Sequence, residues 1–296
     1  MSAQTISRAL PQKDGTQGWL FGAFQLRSGF QPIFGLKSGK AEIAGYEGLI
    51  RPFMAGRAVS PGVFFQHIEP RDRMRVETLT RDLHLVNCVH LPVKAAMMFV
   101  NIDPSSFNTN MDISQTLASI RRLWAKTDRP ANKLVCEIIE KKVKSPALLF
   151  QLTDAIRANG FKLAVDDYGA EHSDAERLVR LRPNIVKFDG RWIARLMATK
   201  PGYGQIKAMA AHMHERNIET VFEGIETLEQ LELSEFSNAT YVQGFALARP
   251  EIAPTTFARF VKSAMPKTVD GAREALREIA HGGRIEFRPL PARRIA

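Results

Sequence analysis

Short apolar runs recur along this chain, each with a polar side chain within it or just after it, and amphipathic stretches lie between them. The runs are Ala44–Ile50, Met97–Ile102, Lys133–Ile138, Lys162–Val165, Asn184–Phe188, Glu219–Phe222 and Ala239–Phe245. Between them, Ser145–Asn159 places Leu148, Leu149, Leu152, Ala155 and Ile156 at helical spacing, and Gly160 follows as a stop. Strands that alternate with helices build βαβ units and a parallel sheet. Seven or eight such units in about 240 residues favour a closed α/β barrel over an open sheet.

Composition narrows the alternatives. The chain has 296 residues, with 45% hydrophobic and 24% charged, which excludes a disordered polymer. Two cysteines exclude a disulfide-stapled scaffold and suit a reducing compartment. No apolar run is long enough to span a membrane, and no apolar leader follows a basic start, so a cytoplasmic protein is expected. The net charge of +10 favours anionic partners such as nucleotides, nucleic acid or acidic lipid heads. Nucleic acid is the weaker reading, since no zinc-finger or RNP-like aromatic motif supports it. Residues 1–18, polar and Gly-containing, read as a flexible arm, and 19–265 as the barrel. Residues 266–296 read as a C-terminal extension, with a helix over Ala272–Ala280 between Asp270 and Gly282 and an edge strand over Arg284–Leu290.

The ends of the runs carry the chemistry. Glu47 lies in Gly45-Tyr-Glu-Gly-Leu-Ile-Arg51, Asn101 follows Met98-Phe-Val, and Glu137 follows Leu134-Val-Cys. Asp166 and Asp167 follow Leu163-Ala-Val, and Lys187 follows Asn184-Ile-Val. Glu223 follows Thr220-Val-Phe, with Glu226 one turn on, and Gln243 follows Thr240-Tyr-Val. In a parallel barrel every C-terminal strand end faces one mouth, so these side chains should converge. Any single one could cap a helix or meet solvent; the set together is harder to dismiss. Crowded carboxylates repel, and Lys187 alone does not offset them.

A bound divalent metal would. Carboxylate and amide oxygens are hard donors, which suit Mg²⁺, Mn²⁺ or Ca²⁺ rather than zinc or copper. The adjacent pair Asp166-Asp167 is placed to bridge or separate two cations, a common device for phosphodiester hydrolysis. Lys187 could orient the attacking water or offset developing charge. His212 and His214 sit two apart in a helix pattern and read as surface residues. Cys136, pointing away from Glu137 along the strand, reads as core.

These motifs resemble the EAL-domain cyclic di-GMP phosphodiesterases of bacteria. Phe30-Gln-Pro-Ile33 resembles the opening YQPI strand, and Tyr46-Glu-Gly-Leu-Ile-Arg51 resembles the EALLR signature with Gly48 in place of Ala. Val100-Asn-Ile-Asp-Pro-Ser-Ser-Phe107 is similar to the VNLS segment, and Cys136-Glu-Ile-Ile-Glu140 to the ELTE segment with Ile139 in place of Thr. Val165-Asp-Asp-Tyr-Gly169, Val186-Lys-Phe-Asp189 and Phe222-Glu-Gly-Ile-Glu226 resemble the DDFG, KID and EGVE segments. Val242-Gln-Gly-Phe245 with Arg249-Pro250 resembles the family's ending. Each motif alone is weak; eight in order, from about Phe24 to Val261, are specific.

The resemblance implies a TIM-like (β/α)8 barrel with one antiparallel strand. It implies that Glu47, Asn101, Glu137, Asp166, Asp167 and Glu223 hold metal, Mg²⁺ or Mn²⁺, with two ions per site. Glu47, Lys187, Glu223 and Gln243 would form the catalytic centre, and Glu140 and Glu226 would support it. Gln31, Leu49, Arg51, Asp189 and Pro250 would line the nucleotide groove, where the planar fork of Arg51 suits a phosphate. The reaction would open cyclic di-GMP to linear pGpG. The loop Ala170-Glu-His-Ser-Asp-Ala175 departs from the family's usual TGYSSL, which touches both metal positioning and the dimer contacts the resemblance implies. The alternative is an inactive EAL-type receptor that binds cyclic di-GMP and signals through a protein partner.

Overall fold

The computed structural model describes residues 7–37, 40–139, 145–169, 178 and 180–262. From Ser7 on, where the sequence reads as an arm, the described residues form a hairpin. Strands β1 (Ser7–Pro11) and β2 (Gln17–Phe21) pair antiparallel, with Ala9 opposite Trp19. The turn of this hairpin is the polar segment 12–16. Gly15 takes φ +84°, and the Asp14 carboxylate accepts from Thr16 N at 3.0 Å and Thr16 Oγ1 at 2.6 Å. Asn87 ties the hairpin to the body: its Oδ1 accepts from Gln17 N at 2.7 Å and its Nδ2 donates to Gln17 O at 2.8 Å.

A closed ring of eight strands follows. Around it run β3 (Phe24–Lys37), β4 (Lys40–Met54), β6 (Met97–Asn101), β7 (Leu134–Ile139), β8 (Lys162–Tyr168), β9 (Ile185–Phe188), β10 (Glu219–Phe222) and β11 (Tyr241–Val242), which returns to β3. β3 is antiparallel to both neighbours, and every other pairing in the ring is parallel. Short β5 (Arg57–Ala58) pairs with the end of β4, and β12 (Glu251–Ile252) with β3. The expected barrel with one reversed strand is therefore the observed one.

Helices α1 (Pro61–Gln66), α2 (Arg73–Asn87), α3 (Asn110–Trp124), α4 (Pro146–Ala158), α5 (Gly190–Met197), α6 (Lys200–Glu215), α7 (Leu228–Phe236) and α8 (Ala258–Lys262) complete the described elements. α4 shows how the sequence sets its ends. The Ser145 side chain accepts from Leu148 N at 3.3 Å, Pro146 sits in the first turn, and Gly160 leaves the helix at φ +73°. Its buried stripe is Leu149, Leu152 and Ile156, facing the main apolar layer. The helix and edge strand expected within 266–296, the loop 170–175 and Glu140 lie outside the described residues.

The barrel interior is a second, separate apolar cluster: Ile33, Met97, Phe99, Val135, Ala164, Ile185 and Val221. Gly45 leaves room there, since a Cβ on it would lie 2.7 Å from the Phe99 ring. Side chains two apart on a strand share a face. The next inward residue toward the mouth is therefore Gln31 after Ile33 on the reversed strand, and Glu47 after Gly45. It is Asn101 after Phe99, Glu137 after Val135, Asp166 after Ala164, Lys187 after Ile185, and Glu223 after Val221. The dry layer fixes the inward phase of each strand and hence aims a polar group at the mouth.

Candidate active site

Lys187 is the hub. It is 1% exposed at the end of β9, and its Nζ lies 2.7 Å from Glu223 Oε1, 2.8 Å from Glu137 Oε1, 3.3 Å from Asp166 Oδ1 and 3.4 Å from Glu47 Oε2. Gln243, just beyond β11, donates from Nε2 to Glu47 Oε2 at 2.7 Å. Six side chains named from the sequence thus meet at one point, although they span Glu47 to Gln243.

The charges do not balance. Burial pushes the Glu223 carboxyl up to about 8, with Lys187 opposing and Asp166 and Glu47 adding to the rise. Burial likewise lifts Glu137 well above the usual carboxylate range and raises Asp166, again against the pull of Lys187. Burial by itself would lower the Lys187 ammonium, but Asp166, Glu137, Glu223 and Glu47 outweigh it and hold the pKa well above its ordinary value. Lysine stays charged, and the acids share one cation among four.

Asp166 and Asp167 reach the same site because β8 is bulged. Val165 pairs with Val186 and Tyr168 with Phe188, so three steps on β8 face two on β9. The extra residue is absorbed at Asp167, which sits at φ +58°. A left-handed non-glycine residue costs about 1 kcal/mol, least for Asp and Asn. Without the bulge, the two carboxylates would point to opposite faces. With it, Asp166, Asp167 and Glu223 offer oxygens that all lie within 4.8 Å of one another.

The donor set fits a divalent cation. Every charged donor is a hard oxygen. Glu137 is fully buried, yet its Oε2 has no hydrogen-bond partner, and neither has the buried Gln243 Oε1. Buried polar atoms of this kind are rare unless a ligand or ion completes them.

Asn101 ends β6 in register with Glu137 and is exposed. A cavity of about 410 Å³ opens over the cluster, lined by Gln31, Leu49, Asp189 and Glu226 beside Glu47 and Glu223. Arg51 and Pro250 are not on that wall. The Arg51 Nη1 donates to Ile50 O at 2.9 Å, and the side chain lies over Gly29, where a Cβ would meet Arg51 Cγ at 3.0 Å. Asp189 also accepts at Oδ1 from Trp192 N at 2.8 Å, so it caps α5 as well as facing the cavity. His212 and His214 are exposed and Cys136 is buried in the outer core, as read from the sequence.

Sequence reasoning missed Arg191 and Gln230 and gave no site role to Phe245; all three line the cavity. Phe245 carries the Arg249 guanidinium 4.4 Å from its ring centre. A helical arginine and a half-exposed phenylalanine carry no local signal that separates them from ordinary surface.

A closed barrel with one reversed strand and an acid-rich mouth at its C-terminal rim places this chain among the TIM-like α/β barrels. Residues 20–250 match the EAL domain family, and the chain belongs to it. It is 28% identical over 154 residues to the probable cyclic di-GMP phosphodiesterase PdeD of Escherichia coli, covering 51% of this chain and 27% of the relative. The chain spans less than a third of the length of the curated relatives it matches. The Bacillus subtilis YkuI protein, solved with c-di-GMP and calcium, superposes with TM-score 0.68 at 19% identity, over 86% of this chain and 63% of that one. Klebsiella pneumoniae BlrP1, solved with manganese and c-di-GMP, gives TM-score 0.66 at 22% identity over 85% and 60%. Among the described residues no helix is long and apolar enough to cross a membrane.

Proposed function

We propose that this chain hydrolyses cyclic di-GMP to linear pGpG in a reaction that depends on Mg²⁺ or Mn²⁺. The observation that carries the reading is the cluster itself: Glu47, Glu137, Asp166 and Glu223 around the single ammonium of Lys187, with Glu137 Oε2 unpartnered. Family membership and the named activity of relatives such as PdeD support it. Glu47, Asn101, Glu137, Asp166, Asp167 and Glu223 would hold the metal, two ions per site. Bound there, it would set positive charge against the phosphate oxygens and make the attacking water more acidic.

The chain's own residues do the rest. Lys187 holds four carboxylates in one geometry, so little rearrangement is needed when substrate arrives. Gln243 fixes Glu47 through Nε2 and keeps Oε1 free to accept from the attacking water. Gln31, Leu49 and Asp189 line the nucleotide groove, and Arg51 must leave Ile50 O to reach a phosphate. Water adds to phosphorus, one P–O bond to a ribose breaks, and the proton lost by the water is made up at the departing ribose oxygen.

The test is product analysis of cyclic di-GMP incubated with the purified chain, with and without Mn²⁺ or Mg²⁺. Metal-dependent pGpG is expected. Tight binding with no product at saturating metal overturns the phosphodiesterase reading in favour of a receptor.

A further inference from the structure

The cavity wall over the cluster is acidic, with one exception. Glu47, Asp189, Glu223 and Glu226 line it, and Arg191 is its one cation among the described residues. Arg191 is exposed, and no described residue pairs with its guanidinium. Its backbone is well fixed. It follows Gly190, which packs so closely on Gly224 that a Cβ would lie 2.8 Å from the Gly224 Cα. One residue earlier, Asp189 caps the same helix through Trp192 N. Arg191 is thus held beside the strand end that carries Glu223, with its side chain free.

A cyclic dinucleotide carries two phosphodiesters and so two negative charges. The carboxylate cluster can serve only one of them at a time. The other must rest against a wall whose remaining charges are carboxylates, unless a cation meets it. Arg51 lies off this wall and must leave Ile50 O to reach any phosphate. Arg191 is not committed, and its planar fork matches two phosphate oxygens. An exposed helical arginine is ordinarily plain surface charge; a lone, unpaired cation on an acid-lined cavity is not.

We propose that Arg191 is a substrate-binding residue that takes the phosphate of cyclic di-GMP lying outside the carboxylate cluster. This deepens the phosphodiesterase reading and rests on it.

The experiment compares the full chain with Arg191→Ala and Arg191→Lys. Binding of cyclic di-GMP is measured by titration calorimetry in Ca²⁺, the ion present with that nucleotide in the YkuI structure, and turnover is measured in Mn²⁺. Arg191→Ala should weaken binding and raise KM by about 10- to 100-fold, the scale of one charge-assisted contact, with kcat little changed. Arg191→Lys should recover part of the loss. The same variants are read against bis(p-nitrophenyl) phosphate, which has a single phosphate. An equal loss on that ester places Arg191 at the cluster and overturns the proposal, as does an Arg191→Ala chain that binds cyclic di-GMP like the parent. A parent chain that neither binds nor opens cyclic di-GMP fails at the phosphodiesterase reading instead, and the proposal falls with it.

Discussion

The two ends of the barrel interior are built from the same strands and end in opposite electrostatic states. Lys162 and Asp166 flank Ala164 two residues to either side on β8, and Glu219 and Glu223 flank Val221 on β10. At the base, Lys162 Nζ meets Glu219 Oε2 at 2.7 Å, and the Tyr241 hydroxyl donates to Glu219 Oε1 at 2.7 Å. One cation faces one anion, and a neutral donor satisfies the second oxygen. At the mouth, one cation faces four anions, and a fully buried carboxylate oxygen is left over. The base is finished by its own side chains. The mouth is not, and a ligand or ion bound there would complete it.

The largest test of this contrast is Lys187→Ala. Hydrolysis of cyclic di-GMP should fall by at least about 100-fold, the usual scale for losing a preorganised charge contact. Lys187 is 1% exposed, so four acids would lose a buried partner at once. Unfolding in urea without metal should show a loss of about 3–5 kcal/mol. Near-parental turnover from a Lys187→Ala chain would place the chemistry elsewhere.

Metal and pH sharpen the same point. The Glu223 carboxyl is lifted from 4.5 to about 8, so the folded state holds its proton more tightly than the unfolded chain does. That contribution to stability is fully present below about pH 4.5 and is lost as pH rises through about 8. Metal-free protein should therefore melt at a lower temperature at pH 8.5 than at pH 6. A divalent ion competes with that proton, so the rise in melting temperature on adding saturating Mn²⁺ should be larger at pH 8.5. A rise that shrinks as pH increases, or none at either pH, would remove the cation from the mouth.

A smaller effect lies just outside the mouth, behind the strand that carries Glu47. A Cβ on Gly48 would lie 2.8 Å from the His84 ring, which accounts for glycine where the family signature has alanine. His84 is buried, and burial pushes its pKa down to about 3, so the ring is neutral. Its Nδ1 lies 3.0 Å from Ser28 Oγ, which also accepts from Asn87 Nδ2 at 3.0 Å. Gly48→Ala should cost about 1–3 kcal/mol by overpacking, read by urea unfolding. Adding His84→Ala should make the pair less destabilising than the two changes summed. Strict additivity would mean that the ring does not set the glycine.

Much of this was legible because the physics is local. An apolar run fixes the inward phase of a strand, and the residue two steps on is aimed at the mouth. Glu47, Glu137, Asp166, Lys187, Glu223 and Gln243 could therefore be picked out from run ends alone. The rest depended on contacts that no run displays. The bulge that lets Asp167 join Asp166 is a mismatch between two strands, visible only when both are paired. The last apolar run spans Ala239–Phe245, yet β11 is only Tyr241–Val242. Thr240 N instead donates to Thr220 Oγ1 at 3.1 Å, and the Gln243 carbonyl accepts from Ile225 N at 3.1 Å, so side chains and a loop take over the bonding. The opening hairpin reads as an arm in the sequence because its turn is polar, although Asp14-Gly15 is itself a turn signal. Arg191 was missed because what marks it is the charge of its neighbours across the cavity, which come from other strands.

The smallest expected effect is at the base, and it is the control for everything claimed of the mouth. The Lys162 and Glu219 side chains are 28% and 33% exposed, so water screens their ion pair. Lys162→Ala should cost no more than about 1 kcal/mol, and still less in high salt. Turnover of cyclic di-GMP should stay within about twofold, because the apolar layer of Ala164, Ile185 and Val221 separates the base from the cluster. The two lysines differ little in chemistry and lie inside one barrel. If removing Lys162 hurt turnover as removing Lys187 should, burial and charge imbalance would not be what distinguishes the two ends. An effect on stability alone leaves the apolar layer as a barrier between a base that holds the barrel shut and a mouth that holds charge in reserve.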